Sequence, residues 1–265
     1  MNLSTFSKIS IAALIFSSAS SFATVVEFTT SQGNFKVNLH DETTPETVAN
    51  FLKYINDGDY NNTVVHRLVP EFVMQAGGFE FTGDFPLNPI ATNSAVINEP
   101  VYSNVRGTIA MAKVANDENS ATSQWFVNLS DNSGGAASLD TQNGGFTVFG
   151  EIIEGMDNID NMADLFLCSD IPMPDYNAAQ CSDSSFVPGV ENFVTIETVT
   201  IFDATVNTAD SLAAVENTSL TPPTTTPPTT TPPVTEPTNS SSGGGSFAWF
   251  SLLFASLLTL RRRFK

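Results

Sequence analysis

From residue 24 to residue 205 the chain is a series of short apolar runs broken by turn-forming residues, and that pattern limits it to a mainly β fold. "TVVEFTT" and "GNFKVNLH" alternate apolar and polar positions around "SQGN", the signature of a β-hairpin. "TVVHRLV", "VMQAG", "GTIAMAKV", "QWFVNLS", "FTVFGEII" and "FVTIETVTIF" read as further short strands. Two helices interrupt them. In "TTPETVANFLKYINDGDY", Thr43 and Glu46 fit a capping box and Pro45 suits a first turn. Val48, Phe51, Leu52 and Ile55 follow at helical spacing, and Gly58 offers a C-cap. A shorter helix is expected near 155–165, where Met156, Ile159, Met162 and Ala163 share a face. Many strands with two helices suggest a closed barrel capped at its ends.

The flanking segments have other characters. Residues 1–23 carry Lys8, the apolar run "ISIAALIF" and small residues ending "SFA", which reads as a secretory signal cut after Ala23. Residues 206–242 contain "SLTPPTTTPPTTTPPVTEPT", a Thr/Pro repeat that cannot bury apolar surface and is expected to form a disordered, polyproline-like stalk. Residues 243–265 combine glycines, the apolar run Phe247–Leu260 and the bases Arg261, Arg262, Arg263 and Lys265. Fourteen residues rise only ~21 Å as helix, short for a permanent membrane span. This end resembles a GlyGly-CTERM sorting signal, which implies a membrane stage before a rhomboid-type protease cuts near the glycines. An ordinary C-terminal anchor is the alternative. Both place the body outside the cytoplasm, in the periplasm, at the cell surface or secreted.

Five of the ten bases lie in these end segments and all 28 acids lie between them, so the body holds five bases against 28 acids, a net −23. Such a surface repels nucleic acid and anionic membranes. Cys168 and Cys181 sit close together in an exported chain; a disulfide is favoured over two free thiols or a metal pair, for which nearby histidines are lacking.

The run "VVHRLVPEFVMQAGG" is unusual, because it sets His66, Arg67 and Gln75 among valines, a leucine, a methionine and a phenylalanine. Arg67 could be half of a salt bridge, and His66 a satisfied structural histidine. Nucleophilic catalysis has no support: only His40 and His66 exist, with no G-x-S-x-G or Cys/His signature around them. No metal-ligand pattern or phosphate-cradling glycine loop occurs either. A reaction without nucleophile, metal or cofactor suits the chain.

Five stretches, in order, carry a resemblance: "TPETVANFLKYINDGDYNNTVVHRLVPEFVMQAGG", "RGTIAMAK", "SATSQWFVNL", "SLD" and "FTVFGEIIEGMD". Through them, residues 24–205 resemble a cyclophilin-type peptidyl-prolyl cis-trans isomerase of the bacterial periplasmic kind. The resemblance implies a closed eight-stranded antiparallel β-barrel capped by two α-helices, a monomer that isomerises Xaa-Pro bonds of exported polypeptides, and no cofactor. A second reading is a module that holds proline segments with little turnover. By the resemblance, Arg67 is the catalytic donor, His66 hydrogen-bonds within the site, and Gln75 bonds the substrate backbone. Phe72, Phe126 and Leu139 take the proline ring, Ala112 and Gln124 line the groove, and the Lys113 backbone pairs with the peptide. Departures are Val73 at the pocket floor, where many members have methionine, and Ser138 and Phe146, where eukaryotic members have tryptophan and histidine. Serine there should weaken binding of cyclosporin. Residues 165–190 match no motif of the family.

Overall fold

The computed structural model describes residues 24–204 and 212–220. The segments read as secretory signal, Thr/Pro repeat and terminal apolar run lie outside the described residues. Strands β1 (Val25–Thr30) and β2 (Phe35–Leu39) make the opening hairpin, with Phe28 opposite Phe35 and their rings stacked at 4.4 Å. Helix α1 (Pro45–Asp57) follows, then β3 (Thr63–Val64), β4 (Arg67–Val69), β5 (Val73–Ala76), β6 (Phe79–Glu80) and β7 (Asn88–Pro89). After a long connection come β8 (Thr108–Met111), β9 (Trp125–Asn128), β10 (Val148–Glu154) and helix α2 (Met156–Ala163). The chain then forms a small hairpin, β11 (Leu167–Cys168) and β12 (Ile171–Pro172), helix α3 (Ala178–Ser182), and the long strand β13 (Thr195–Asp203).

The fold is mainly β with few helices. Eleven of these strands form one curled antiparallel sheet in the order β4-β5-β9-β8-β10-β2-β1-β13-β3-β6-β7; β11 and β12 pair with each other. The run "TVVHRLV" is divided: β3 pairs with β13, while β4, two residues on, pairs with β5. The inward set of the alternating positions, including Phe28, Leu39, Met74, Ile109, Trp125 and Phe149, makes the main core beneath Phe51 and Ile55 of α1. Burying each such side chain contributes ~1.5–3 kcal/mol.

Both expected helices are present, with one correction. The capping box of Thr43 and Glu46 does not form: Thr44 is the N-cap, without a side-chain cap. Glu99, from the β7–β8 connection, takes that role and accepts the backbone N–H groups of Glu46 (3.3 Å) and Thr47 (2.9 Å). A carboxylate from a distant loop thus satisfies donors that the local pattern assigned to neighbours. At α2, Gly155 has φ +83° and a Cβ there would lie 2.3 Å from the Asn34 carbonyl, so only glycine fits between the helix and the β1–β2 turn. The five-residue α3 and the β11–β12 hairpin are additions that periodicity missed. Cys168 and Cys181 form the expected disulfide, joining that hairpin to α3.

Residues 212–220, within the stretch read as a stalk, return to the domain. Ser103 donates its N–H to the Val215 carbonyl (2.8 Å), Asn217 donates its own to Val101 (2.8 Å), and Asn217 Nδ2 reaches the Asp140 carbonyl (2.9 Å).

Candidate active site

Strand register separates the two faces of the sheet at β4, β5, β9 and β8. Leu68, Met74, Val127 and Ile109 form one cross-strand row, all in the main core. The neighbouring row is Arg67–Gln75–Phe126–Ala110, which continues to Val148 on β10 and points to the other face. There Val73, Ala110, Phe126, Leu139 and Val148 form a separate apolar cluster, packed by half-buried Phe72, Ala112 and Phe146. The period-2 alternation of "HRLV" and "VMQA" is therefore what places Arg67 and Gln75 on the side of this second apolar cluster rather than inside the main core.

Arg67 is half-buried and, among the described residues, makes no ion pair and no side-chain hydrogen bond. Burial lowers its pKa, and the nearby Asp170 carboxylate pulls the other way. A guanidinium with five N–H donors, partly stripped of water and unspent, can serve an acceptor placed in the groove.

Gln75 Nε2 donates to Gln124 Oε1 at 2.8 Å, which fixes the amide across β5 and the segment before β9. Ala112 N–H bonds the Gln124 carbonyl at 2.9 Å, so Ala112 and Gln124 form one rim. His66 is buried, its ring 4.8 Å from Phe79 edge-on and its Nδ1 without a partner among the described residues. Burial lowers its pKa to about 4, with Gln124 and the Val64 carbonyl partly offsetting, so the imidazole is neutral near pH 7.

The backbone around this cluster is held by polar groups that the sequence patterns did not single out. Asn132 Nδ2 donates to the carbonyls of Phe72 (2.9 Å) and of the Asn128 side chain (2.8 Å), and Leu129 N–H also bonds the Phe72 carbonyl. Asp140 accepts from the backbone and amide of Asn104, whose amide also reaches the Phe146 carbonyl. A fully buried asparagine such as Asn128 inside "QWFVNLS" was the available signal, because a buried amide requires partners.

Phe146 stands edge-on to Phe126 at 5.7 Å, and Val73 and Leu139 are each 3 % exposed. Lys113 is also buried. Its Nζ donates to the carbonyls of Asn143 (2.8 Å) and Gly145 (2.6 Å) and lies 4.9 Å from the Phe146 ring centroid. Burial lowers its pKa to about 8, against the raising effects of Glu118 and Asp117. Its side chain thus staples the loop behind Phe146, a role distinct from the expected backbone pairing. Ser138 has φ +46° and donates its hydroxyl to Gly135, away from any ring-stacking role. All eleven groove residues expected from sequence lie on the adjoining strands β4, β5, β8 and β9 and the loops beside them. Among the described residues no group of three or more His, Cys, Asp or Glu could hold a metal ion.

Residues 25–182 match the family model described as cyclophilin type peptidyl-prolyl cis-trans isomerase/CLD. The peptidyl-prolyl cis-trans isomerase of Acinetobacter baylyi is 39% identical over 144 residues, covering 54% of this chain and 73% of that protein. Peptidyl-prolyl cis-trans isomerase A of Dickeya dadantii is 40% identical over 149 residues (55% and 74%), and isomerase B of Escherichia coli 40% over 141 (52% and 83%). A Cryptosporidium parvum cyclophilin-type isomerase, crystallised in the presence of the dipeptide Ala-Pro, aligns with a TM-score of 0.47 at 22% identity, over 68% of this chain and 99% of that one.

Proposed function

This chain belongs to the cyclophilin-type peptidyl-prolyl cis-trans isomerases, and from that premise we propose that the groove of Arg67, Gln75 and the Phe126 cluster is where it turns Xaa-Pro bonds. It is a peptidyl-prolyl cis-trans isomerase, an activity that needs no cofactor. Resonance holds the prolyl amide planar behind a barrier of ~18–20 kcal/mol. Rotation removes that resonance and leaves a lone pair on the prolyl nitrogen. A donor that bonds the nitrogen only in the twisted state lowers the barrier without a covalent step.

Arg67 is that donor in our reading. The observation that carries it is the guanidinium's unspent hydrogen-bonding capacity beside an apolar cluster in one cross-strand row. Phe72, Val73, Phe126 and Leu139 take the proline ring, with Phe146 closing the side. Gln75, steadied by Gln124, bonds the peptide backbone, and the rim of Ala112 and Lys113 pairs with it. His66, neutral near pH 7 and buried against Phe79, does not compete for the prolyl nitrogen. The reading is tested by following exchange of an Ala-Pro peptide by NMR with the wild type and Arg67→Ala. Loss of one electrostatic donor should lower kcat/KM by ~100-fold or more. An unchanged rate would overturn it.

We read the sheet as a closed barrel of eight. Taking residues 63–69 as one strand bent at Val65–His66 supports this, since its halves pair with β13 and β5 and the order runs round through β9, β8, β10, β2 and β1. We also place the enzyme outside the cytoplasm, acting on exported polypeptides, on the sequence patterns of residues 1–23 and 243–265. Mass spectrometry of the mature protein is expected to show loss of the segment beyond Gly243–Gly245. An intact Lys265 terminus would leave a plain anchor.

A further inference from the structure

We infer that Asp170, at the tip of the disulfide-closed hairpin, is a specificity-determining residue of the groove that favours Xaa-Pro segments carrying Lys or Arg beside the proline. The inference rests on the isomerase reading above. The hairpin belongs to residues 165–190, which carry none of the motifs by which the sequence resembles the family.

Its geometry begins with "LCSDIP". Leu167 pairs with Pro172 and Cys168 with Ile171, leaving Ser169 and Asp170 as a two-residue turn with φ +51° and +69°. Positive φ at both turn positions matches the twist of a tight hairpin, and aspartate tolerates it. Cys168 and Ile171 sink into a small apolar cluster with Val64, Met173 and Phe193, and Cys168 is tied to Cys181 in α3. The tip is fixed as well: the Asp170 carbonyl accepts the Leu68 N–H at 2.6 Å. Leu68 directly follows Arg67, so the free edge of the strand that carries the catalytic guanidinium is bonded to the residue whose carboxylate is in question.

The carboxylate itself is exposed and uncommitted. Among the described residues it forms no ion pair within 4 Å, yet it is the one charged group that raises the proton affinity of Arg67. A direct salt bridge would withdraw Arg67 from the prolyl nitrogen. A carboxylate held nearby by its backbone leaves the guanidinium free and sets a negative potential over that side of the groove. A cationic side chain flanking the proline meets that potential favourably, and an anionic one is opposed. The wider body, with its net −23, adds a diffuse bias of the same sign. Removing a single charge separates the local effect from the diffuse one.

The test uses the full chain and peptides with Lys, Ala or Glu placed in turn on either side of the proline, with exchange followed by NMR. For the wild type, kcat/KM for the Lys peptide should exceed that for the Glu peptide by about fivefold at one of the two positions, the scale of one partly screened charge contact. Asp170→Asn, which keeps the turn conformation, should bring the ratio close to one and change the Ala peptide less than about twofold. Glu42→Gln, at an exposed carboxylate that has no part in the hairpin and is not among the charges that shift the Arg67 pKa, should leave the ratio unchanged. A ratio that survives in Asp170→Asn overturns the inference. An equal loss on all three peptides does so too, since it would make Asp170 a support for Arg67 only. Failure of the wild type to accelerate the Ala peptide would instead sink the isomerase reading itself.

Discussion

Gln75 and Gln124 are joined by a 2.8 Å hydrogen bond from Nε2 to Oε1, and this bond links the strand paired with that of Arg67 to the rim proposed to face the peptide. Gln75 should therefore act together with Gln124. We expect Gln75→Ala to lower kcat/KM by about tenfold, the loss of a hydrogen bond worth ~1–1.5 kcal/mol, and Gln124→Ala to lower it less. The double variant should fall short of the product of the two effects, because each single change already frees the other amide. Strictly multiplicative losses would show that the two side chains act independently.

His66 and His40 both have pKa values lowered to about 4, in each case first by burial. Between about pH 4 and 6.5 the unfolded chain binds more protons than the folded one, so stability is complete above that window and declines as pH falls through it. The slope per histidine is at most ~1.4 kcal/mol per pH unit. His66→Gln should flatten the urea-denaturation stability profile between pH 4.5 and 6 relative to the wild type. Parallel profiles would mean that His66 does not contribute. The isomerase rate should stay level from about pH 6 to 7.5, because Arg67 keeps its charge and His66 is already neutral.

Alternation in "VVHRLV" and "VMQAGG" was enough to set Arg67 and Gln75 on a face away from Leu68 and Met74, because a strand has only two faces. That Phe72, Phe126, Leu139 and Phe146 belong together was legible for a different reason: they came in several motifs whose order matched one family. What stayed hidden depends on long-range partners. Asn132 bonds the carbonyl of Phe72, 60 residues away, and Asn217 bonds that of Asp140, 77 residues away. Neither pairing leaves a periodic trace. Lys113 was visible only as a position beside a peptide, since nothing local shows that its ammonium reaches the Gly145 carbonyl.

The N-terminus of α1 gives a direct comparison of local and distant partners. Glu99 takes the N–H groups of Glu46 and Thr47 and the Thr47 hydroxyl (2.7 Å), while the Glu46 side chain makes no cap. Glu99→Ala should cost about 1 kcal/mol, typical of a lost N-cap, and lower Tm by ~2–4 °C. Glu46→Ala should leave Tm nearly unchanged. If calorimetry reverses the order of the two variants, the capping box expected from sequence is the true arrangement.

Residues 212–220 lie beyond the stretch matched by the family model, yet they touch the segment that carries Leu139. Asn217 bonds the carbonyl of Asp140, which directly follows Leu139, and a Cβ on Gly145, next to Phe146, would lie 3.0 Å from Leu220 Cδ1. This strap therefore backs the segment that carries Leu139 and Phe146, two of the side chains proposed to face the proline. Asn217→Ala removes two hydrogen bonds, the one to the Asp140 carbonyl and the exposed one from the Ser219 N–H, the first worth ~1 kcal/mol, and Tm should fall by ~2–4 °C. If the strap also holds the wall in place, KM for an Ala-Pro peptide should rise by about two- to fivefold with kcat little changed, since the wall binds the ring equally in the planar and twisted states. A lower Tm with an unaltered KM would confine the strap to stability and separate it from the groove.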